Sequence, residues 1–236
     1  MTVFDPTVRD GVCRLARPGA RWLSTGHGGG VRDADAAYNV TVPGDWTPTD
    51  LDAYARERRE RAGFDADGPA LFTAVDQADA RRARLDGVEA VVTAGLTNPT
   101  VLPVGGDGRH AARRETPDDR SIGPGTVNVV VGTNRALGAG ALTDLVAAAA
   151  EAKAATLTAR AGVAGTTTDA VVAACDPGGD PADFAGAATP VGRAARVCVR
   201  DALTASLEAT HGGDPPSPDG AAHGVVLDGS ASVSRL

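Results

Sequence analysis

The chain has 236 residues and is 42% apolar, which is enough for one sizeable core and argues against collagen-like, disordered and disulfide-framework proteins. Its acidic residues are 24 Asp and 6 Glu, its basic residues are 22 Arg and one Lys, and its net charge is −7. This charge argues against a nucleic-acid partner, because phosphate binding needs clustered Lys and Arg, whereas the arginine runs here are interleaved with or flanked by acids.

The N-terminal part of the chain predicts β-strands. Residues 11–16 and residues 21–25 flank a Pro-Gly pair and predict a hairpin, and residues 36–42 predict another strand. The segment STGHGGG, from Ser24 to Gly30, joins the hairpin to that strand as a glycine-rich loop.

A helix is predicted to begin near Asp50 and to end at Gly63, with Thr47 or Thr49 as its cap. Two apolar runs of strand length follow it, at residues 69–75 and 86–96. The next stretch, residues 97–124, is polar and has no periodicity, and a loop of this length inside a compact domain is usually functional or mobile.

The C-terminal half alternates strands with helices. Strands are predicted at residues 125–134 and 166–175, and helices at residues 140–160 and 191–210. The remainder, residues 212–236, is rich in Gly, Ser, Pro and Asp and is predicted to be a disordered tail. We therefore expect a single α+β domain at residues 1–211, with a mixed, largely antiparallel sheet covered by two Ala-rich helices.

The glycine-rich loop resembles the segment that supplies backbone amides to an oxyanion in lipases. No GlyXaaSerXaaGly elbow exists to present a serine nucleophile, so the glycines indicate close approach of the backbone to a ligand and no lipase mechanism. His27 within the loop is, by itself, more typical of an incidental loop residue than of a base. Phosphate-binding, dinucleotide-binding and HisGluXaaXaaHis motifs are also absent.

Lys153 is the single lysine, and a helical projection of residues 141–157 places it on the apolar stripe with Val146, Ala149 and Leu157. Glu151 falls near the opposite side. A compact ammonium suits proton transfer or a single oxyanion contact, for which arginine is a poor substitute. The alternative is a side chain that snorkels past its apolar neighbours to the surface.

Other polar residues of interest lie around the last predicted strands. Thr166, Thr167, Thr168 and Asp169 lie where a loop enters a strand, and such residues often only form caps or turns with the backbone. Asparagines interrupt the strand at residues 125–134, where a buried amide needs hydrogen-bond partners from neighbouring strands or from a ligand.

The order and spacing of several blocks resemble one enzyme family. GTVN followed by GTNRAL, then EAKAA and GTTTDAV, together with WLSTGHGGG and VEAVVTAGLTNP, are similar to the adenosylcobinamide amidohydrolases of archaeal corrinoid salvage. The resemblance covers residues 5–210. It implies hydrolysis of the amide between the corrin propionyl side chain and aminopropanol, which releases adenosylcobyric acid for coenzyme B12 synthesis.

The resemblance identifies the reaction, and the residue roles are argued from chemistry. Thr168, or a water held by Asp169, could attack the amide, with Lys153 or Glu151 handling the proton. Substrate-binding candidates, including oxyanion donors, are Gly28, Gly29, Gly30, Asn39, Asn98, Asn128 and Asn134. We assign no metal ligands, and whether a metal ion assists is left open. We expect no cofactor, since the corrinoid is the substrate. Alternatives are an amidohydrolase of another substrate and a non-catalytic corrinoid-binding protein.

The composition also predicts the surroundings of the protein. Abundant Asp with almost no Lys is typical of haloarchaeal proteins, whose hydrated acidic surfaces stay soluble in concentrated salt. Three cysteines, Cys13, Cys175 and Cys198, have no zinc-binding spacing and fit reduced cytosolic thiols. No window approaches the roughly 18 apolar residues of a membrane span. We expect a cytoplasmic protein without a membrane or nucleic-acid partner, and its oligomeric state is left open.

Overall fold

The computed structural model describes residues 2–44, 46–47, 50–102, 125–213, 225–226, 231–232 and 234. The helices are α1 (Leu51–Arg61), α2 (Ala139–Ala161) and α3 (Pro190–His211), with a short 3-10 helix at Gln77–Asp79. The strands are β1 (Asp5–Arg9), β2 (Val12–Ser24), β3 (Gly30–Thr41), β4 (Ala70–Thr73), β5 (Arg81–Leu85), β6 (Val88–Ala94), β7 (Pro99–Val101), β8 (Val127–Thr133), β9 (Ala136–Leu137), β10 (Gly165–Thr166), β11 (Ala170–Cys175), β12 (Pro181–Ala182) and β13 (Val225–Val226).

The main sheet of the described residues has eight strands in the order β4-β3-β2-β11-β8-β6-β5, with β1 paired to β2 beside this path. The pairs β3–β4 and β8–β11 are parallel, and the others are antiparallel. Two small sheets, β10-β7-β13 and β12-β9, lie apart from it. The predicted single α+β domain with a mixed, largely antiparallel sheet is confirmed.

The predicted N-terminal hairpin is wrong, because residues 12–24 form the single long strand β2. Both halves of β2 pair with β3, and the register shifts between Ala16 and Ala20. Gly19 takes a positive φ of 70° at this point, and its N–H donates to Asp35 Oδ1 at 2.8 Å. The Pro-Gly pair therefore forms a bulge that bends one strand, since the same partner strand continues on both sides of it.

Helices α2 and α3 cover one face of the sheet. Alternate residues of β8, Val127, Val129 and Val131, belong to the same buried cluster as Leu145 of α2 and Leu203 of α3. This alternation follows from the period of two along a strand. The predicted helices at residues 140–160 and 191–210 are confirmed, and both end at a glycine with a left-handed conformation, Gly162 and Gly212.

The opposite face holds a second apolar cluster and a buried charge. Phe4 stacks on Trp22 with ring centroids 5.7 Å apart. Glu89 on β6 is fully buried, lies 2.6 Å from Arg82 Nε of β5, and accepts a hydrogen bond from the N–H of Val3 at 3.0 Å. Arg82, whose own side chain is 29% exposed, therefore pairs with a fully buried carboxylate.

Helix α1 begins at Leu51, and Asp50 is its N-cap, because the Asp50 side chain accepts a hydrogen bond from the N–H of Ala53 at 2.9 Å. The prediction of Thr47 or Thr49 as the cap is wrong by a few residues, since the first free N–H groups of the helix face Asp50 instead. No helix of the described ranges combines the length and apolarity needed to cross a membrane.

The predicted loop at residues 97–124 and the predicted tail at residues 212–236 fall largely outside the described residues. Of the polar stretch at residues 97–124, residues 99–101 form β7, and residues 103–124 are not described. Most of the predicted tail at residues 212–236 is likewise not described, and within it Val225–Val226 pairs in parallel with β7 as β13.

Candidate active site

One edge of the main sheet gathers the candidate residues. Strands β8 and β11 are parallel and both begin there, whereas β2 and β6 are antiparallel to them and end there. The segments that continue beyond these strand ends therefore meet at one place. They are the glycine-rich loop after β2, residues 95–98 after β6, residues 125–126 before β8, and residues 166–169 before β11.

Asp169 lies at the centre of this edge and accepts hydrogen bonds from four donors. Lys153 Nζ and the N–H of Thr166, at 3.0 Å, contact Oδ2, and the Thr166 hydroxyl and the N–H of Val127, at 2.9 Å, contact Oδ1. A carboxylate has about four lone-pair sites, so these donors occupy its accepting capacity. Asp169 therefore holds the 166–169 turn, the start of β8 and the Lys153 ammonium in one fixed arrangement.

Lys153 lies on the apolar stripe of α2, as the helical projection predicts, and from there its side chain reaches Asp169. Its neighbours Ala149, Ala152 and Leu157 are buried, and its own side chain is 12% exposed. The side chain does not snorkel to the surface, because its ammonium ends on the Asp169 carboxylate. An ammonium has three donors, and its remaining N–H groups can serve a ligand.

Gly165 makes room for this ion pair. A Cβ at this position would lie 2.6 Å from Asp169 Oδ2 and 3.2 Å from Lys153 Nζ. Antiparallel pairing with Thr100 of β7 holds Gly165 in place. A larger residue at position 165 would therefore displace the ammonium or the carboxylate.

A pair of hydroxyl groups lies beside the ion pair. Thr168 Oγ1 is 2.7 Å from Thr126 Oγ1, and it can also donate to the carbonyl oxygen of Gly125 at 3.5 Å. Thr126 is buried, whereas Thr168 is exposed. The buried hydroxyl thus orients the hydroxyl of an exposed residue.

The glycine-rich loop starts at the same edge. The N–H of Thr25 donates to the carbonyl of Val171 at 2.9 Å, and the N–H of Val171 donates to Thr25 Oγ1 at 2.9 Å. Gly28 and Gly30 have φ of 60° and 109°, and a Cβ on Gly29 would lie 2.5 Å from the carbonyl oxygen of Ser24. The glycine run is therefore required by the turn itself, whatever else it binds.

The family model for adenosylcobinamide amidohydrolase matches residues 2–215 of the chain. The chain belongs to this family. It is 52% identical, over 235 residues, to the adenosylcobinamide amidohydrolase of Halobacterium salinarum, covering 99% of this chain and 100% of that protein.

Two solved structures resemble the fold distantly. The PH0078 protein of Pyrococcus horikoshii OT3 aligns with 88% of this chain and 80% of its own, with a TM-score of 0.44 and 11% identity. A Burkholderia sp. beta-aminopeptidase aligns with 89% of this chain and 82% of its own, with a TM-score of 0.43 and 16% identity.

Among the predicted substrate-binding asparagines, Asn98 lies at the sheet edge that holds Lys153 and Asp169. Its Nδ2 donates to Thr167 Oγ1 at 2.5 Å, and its main-chain carbonyl accepts from the N–H of Thr167 at 3.2 Å. Asn98 is fully buried, and its Oδ1 has no hydrogen-bond partner among the residues that the structure describes. Asn98 thus fixes the 166–169 turn through two hydrogen bonds with Thr167.

Asn39 and Asn128 lie beneath this edge, on the face opposite α2 and α3. Asn128 Nδ2 donates to Asn39 Oδ1 and to the carbonyl of Phe72, both at 2.9 Å, and Asn39 Nδ2 donates to Thr93 Oγ1 at 2.9 Å. Both asparagines are at most 4% exposed. Their amides bond neighbouring strands, which supports the structural alternative over ligand binding.

Glu151 and Asn134 are not brought to the site. Glu151 is 63% exposed on the outer side of α2 and pairs with Arg196 of α3 at 2.5 Å. Asn134 follows the far end of β8, where its N–H donates to the carbonyl of Gly87 at 3.1 Å. The predicted catalytic role of Glu151 and oxyanion role of Asn134 are therefore without geometric support, since neither residue lies at the edge that holds Lys153.

Sequence reasoning missed Thr126 and the backbone N–H of Val127. Both act through partners about 42 residues away in the chain, Thr168 and Asp169, and no local pattern signals such a contact. Within the described residues, no group of three or more His, Cys, Asp and Glu side chains lies close enough together to hold a metal ion.

Proposed function

We propose that the protein hydrolyses the amide of adenosylcobinamide that joins the corrin propionyl side chain to aminopropanol. The products are adenosylcobyric acid and aminopropanol, and the reaction returns a salvaged corrinoid to coenzyme B12 synthesis. The match to the family over residues 2–215 carries this proposal. Full-length similarity at 52% identity to a haloarchaeal member supports it.

The chemistry requires a nucleophile, a donor for the oxyanion and a proton for the leaving amine. Lys153 is suited to the second task, because its ammonium is held by Asp169 and retains donors for a ligand. A donor fixed in advance stabilises developing negative charge without reorganisation. We assign Lys153 to the carbonyl oxygen of the scissile amide.

Asp169 is better suited to positioning than to activating a water. Its two oxygens already accept from Lys153, from Thr166 twice and from Val127. A general base needs a free lone pair within hydrogen-bond distance of the proton that it removes. The role that remains for Asp169 is to orient the Lys153 ammonium.

Thr168 is the nucleophile that the arrangement favours over a free water. In the proposed first step its Oγ1 bonds to the amide carbon, the C–N bond breaks, and the hydroxyl proton ends on the nitrogen of aminopropanol. In the second step water cleaves the threonyl ester, which releases the carboxylic acid and restores the hydroxyl. Thr126 orients Oγ1 in both steps.

We also propose that this reaction takes place in a cytoplasm of high salt. The residue count of 24 Asp against one Lys supports a protein adapted to such a solvent. Cys13, Cys175 and Cys198 are free thiols, which agrees with a reducing compartment.

Mass spectrometry of adenosylcobinamide incubated with the protein in molar KCl tests the function directly. We expect the carboxylic acid product and free aminopropanol to appear together. Unchanged adenosylcobinamide that remains bound to the protein would instead indicate a non-catalytic corrinoid-binding protein. Neither binding nor turnover, alongside cleavage of other amides, would indicate a different amidohydrolase.

A further inference from the structure

A cavity of about 400 Å³ lies between the glycine-rich loop, helix α1 and strand β4. His27 and Gly28 of the loop form one side of it, α1 forms another, and residues 67–70 and Phe72 form the remainder. Three arginines line it, Arg32, Arg56 and Arg59, against two aspartates, Asp52 and Asp67. The cavity therefore carries more cationic than anionic side chains, in a chain of net charge −7.

Two of these arginines, Arg59 and Arg32, neutralise the charge of Asp67. Arg59 contacts Asp67 at 2.5 Å, and Arg32 lies 4.0 Å from the same carboxylate. Burial would raise the pKa of Asp67, but the N–H of Gly68 and the two guanidinium groups outweigh it and lower that pKa. Asp67 is therefore ionised near neutral pH and occupied by its arginine partners.

Helix α1 presents a donor and an acceptor that are not matched to each other. Asp52 and Arg56 are four residues apart and share one side of the helix, a spacing at which such residues commonly pair. Among the described residues Asp52 instead contacts His27, at 3.2 Å, and Arg56 makes no ion pair. The cavity thus offers a guanidinium donor next to a carboxylate acceptor.

This cavity adjoins the candidate active site. Asp169 precedes Ala170, and a Cβ on Gly26 would lie 3.7 Å from Ala170 Cβ and 2.7 Å from Leu71 Cδ2. His27, the next residue, already lines the cavity. One turn of the glycine-rich loop therefore separates the cavity from the start of β11, which directly follows Asp169.

We propose that this cavity is a subsite for a peripheral carboxamide of the corrinoid, with Arg56 donating to its carbonyl oxygen and Asp52 accepting from its NH2 group. The proposal rests on the proposed function. A corrin ring carries several primary carboxamides and is much wider than the single amide that is cleaved, so a substrate held at Lys153 extends over neighbouring surface. The Arg56 donor and the Asp52 acceptor together match a neutral carboxamide, which has one acceptor atom and two N–H donors.

The test uses Arg56→Gln and Asp52→Asn in the full chain. We expect KM for adenosylcobinamide to rise about tenfold in each variant while kcat changes less than about threefold, because the loss of a hydrogen bond to a charged group weakens binding without touching the reacting atoms. Arg61→Gln is the matched control, since Arg61 is an exposed arginine of the same helix that pairs with Asp10. Its KM should equal that of the wild type.

A second measurement separates binding from turnover. Adenosylcobinamide is titrated into the Lys153→Ala variant and into the Lys153→Ala, Arg56→Gln double variant, and binding is followed by corrinoid absorbance. We expect the dissociation constant of the double variant to be about tenfold higher. Unchanged KM and unchanged dissociation constant, with an active wild-type enzyme, would overturn the subsite and leave the proposed function standing. A wild-type protein that leaves adenosylcobinamide intact would overturn the proposed function itself.

Discussion

Lys153 and Asp169 lie 16 residues apart in the chain, and the fold pairs the ammonium of one with the carboxylate of the other. Helix α2 supplies the lysine from its buried stripe, and the turn before β11 supplies the aspartate. The pair is about nine-tenths buried, where a charge without its partner would be costly. This ion pair is the feature on which the proposed mechanism depends.

Substitution of Lys153 tests the oxyanion role. Lys153→Ala and Lys153→Arg should both leave a folded protein with turnover at least about 10²-fold lower, the low end of what one preorganised donor supplies. Arginine keeps the charge, but its planar guanidinium is wider than the ammonium that lies beside Gly165.

The readouts are adenosylcobyric acid formation and circular dichroism of the same samples. Full activity in the Lys153→Arg variant would contradict a specific role for the ammonium. A catalytic defect in a protein with wild-type secondary structure supports that role. Glu151→Gln, an exposed site on the same helix, should have wild-type turnover.

Thr168 is tested by a matched pair of substitutions. Thr168→Ser keeps the hydroxyl and should keep turnover within about tenfold, whereas Thr168→Val removes it and should lower turnover at least about 10²-fold. Acid quenching followed by intact-protein mass spectrometry should detect a corrinoid ester on the wild-type chain. Equal activity of the Val and Ser variants would show that water attacks the amide directly.

Glu89 should contribute strongly to stability. Glu89→Ala leaves the buried N–H of Val3 and the Arg82 guanidinium without their acceptor. We expect a loss of roughly 3 kcal/mol, the low end for a broken buried ion pair, because Arg82 is partly exposed and still donates to the carbonyl of Phe4. Denaturant unfolding at fixed KCl measures this loss. Glu208→Ala, which breaks the exposed pair with Arg160, should cost no more than about 1 kcal/mol. Similar losses of stability in the two variants would contradict the conclusion that Glu89 is a buried acceptor that stabilises the fold.

Salt should stabilise the folded protein. Crowded aspartates repel one another when they are unscreened, and the Debye length falls from about 10 Å at 0.1 M to about 3 Å at 1 M. Thermal midpoints measured from 0.1 to 3 M KCl are expected to rise. A flat or falling curve would argue against adaptation to high salt and would leave the family membership unaffected.

The three cysteines should be inert in the folded protein. Burial raises the pKa of Cys13 and of Cys198 from 9.0 to about 11, and it also raises that of Cys175. At pH 8 their thiolates are scarce, and the thiolate is the reactive form. A thiol reagent should therefore modify three groups per chain rapidly only after denaturant is added.

The same shifts make stability depend on alkaline pH. Because the folded-state pKa values lie above those of the unfolded chain, the thiols contribute stability that is complete below about pH 9. That contribution is lost as the pH rises toward 11. Rapid labelling of the native protein at pH 8 would contradict the burial and the raised pKa values of the thiols.

Local chemistry in the sequence was sufficient for several features. The apolar runs predicted β6 and β8, because a strand buried on both faces is apolar along its whole length. A period of 3.6 residues marked the buried stripe of α2. The same periodicity placed Lys153 on the buried side of α2. Its isolation in an arginine-rich chain marked it before any partner was known.

The tertiary structure decided which residues meet. The Pro-Gly pair became a bulge because one partner strand, β3, continues past both halves of β2. Asn39 and Asn128 bond each other across 89 residues, and Thr126 bonds Thr168 across 42. Such contacts depend on strand order and register, which the local pattern of a single segment does not contain. Periodicity therefore determined the side of α2 that carries Lys153, and only the fold determined that Asp169 would lie there.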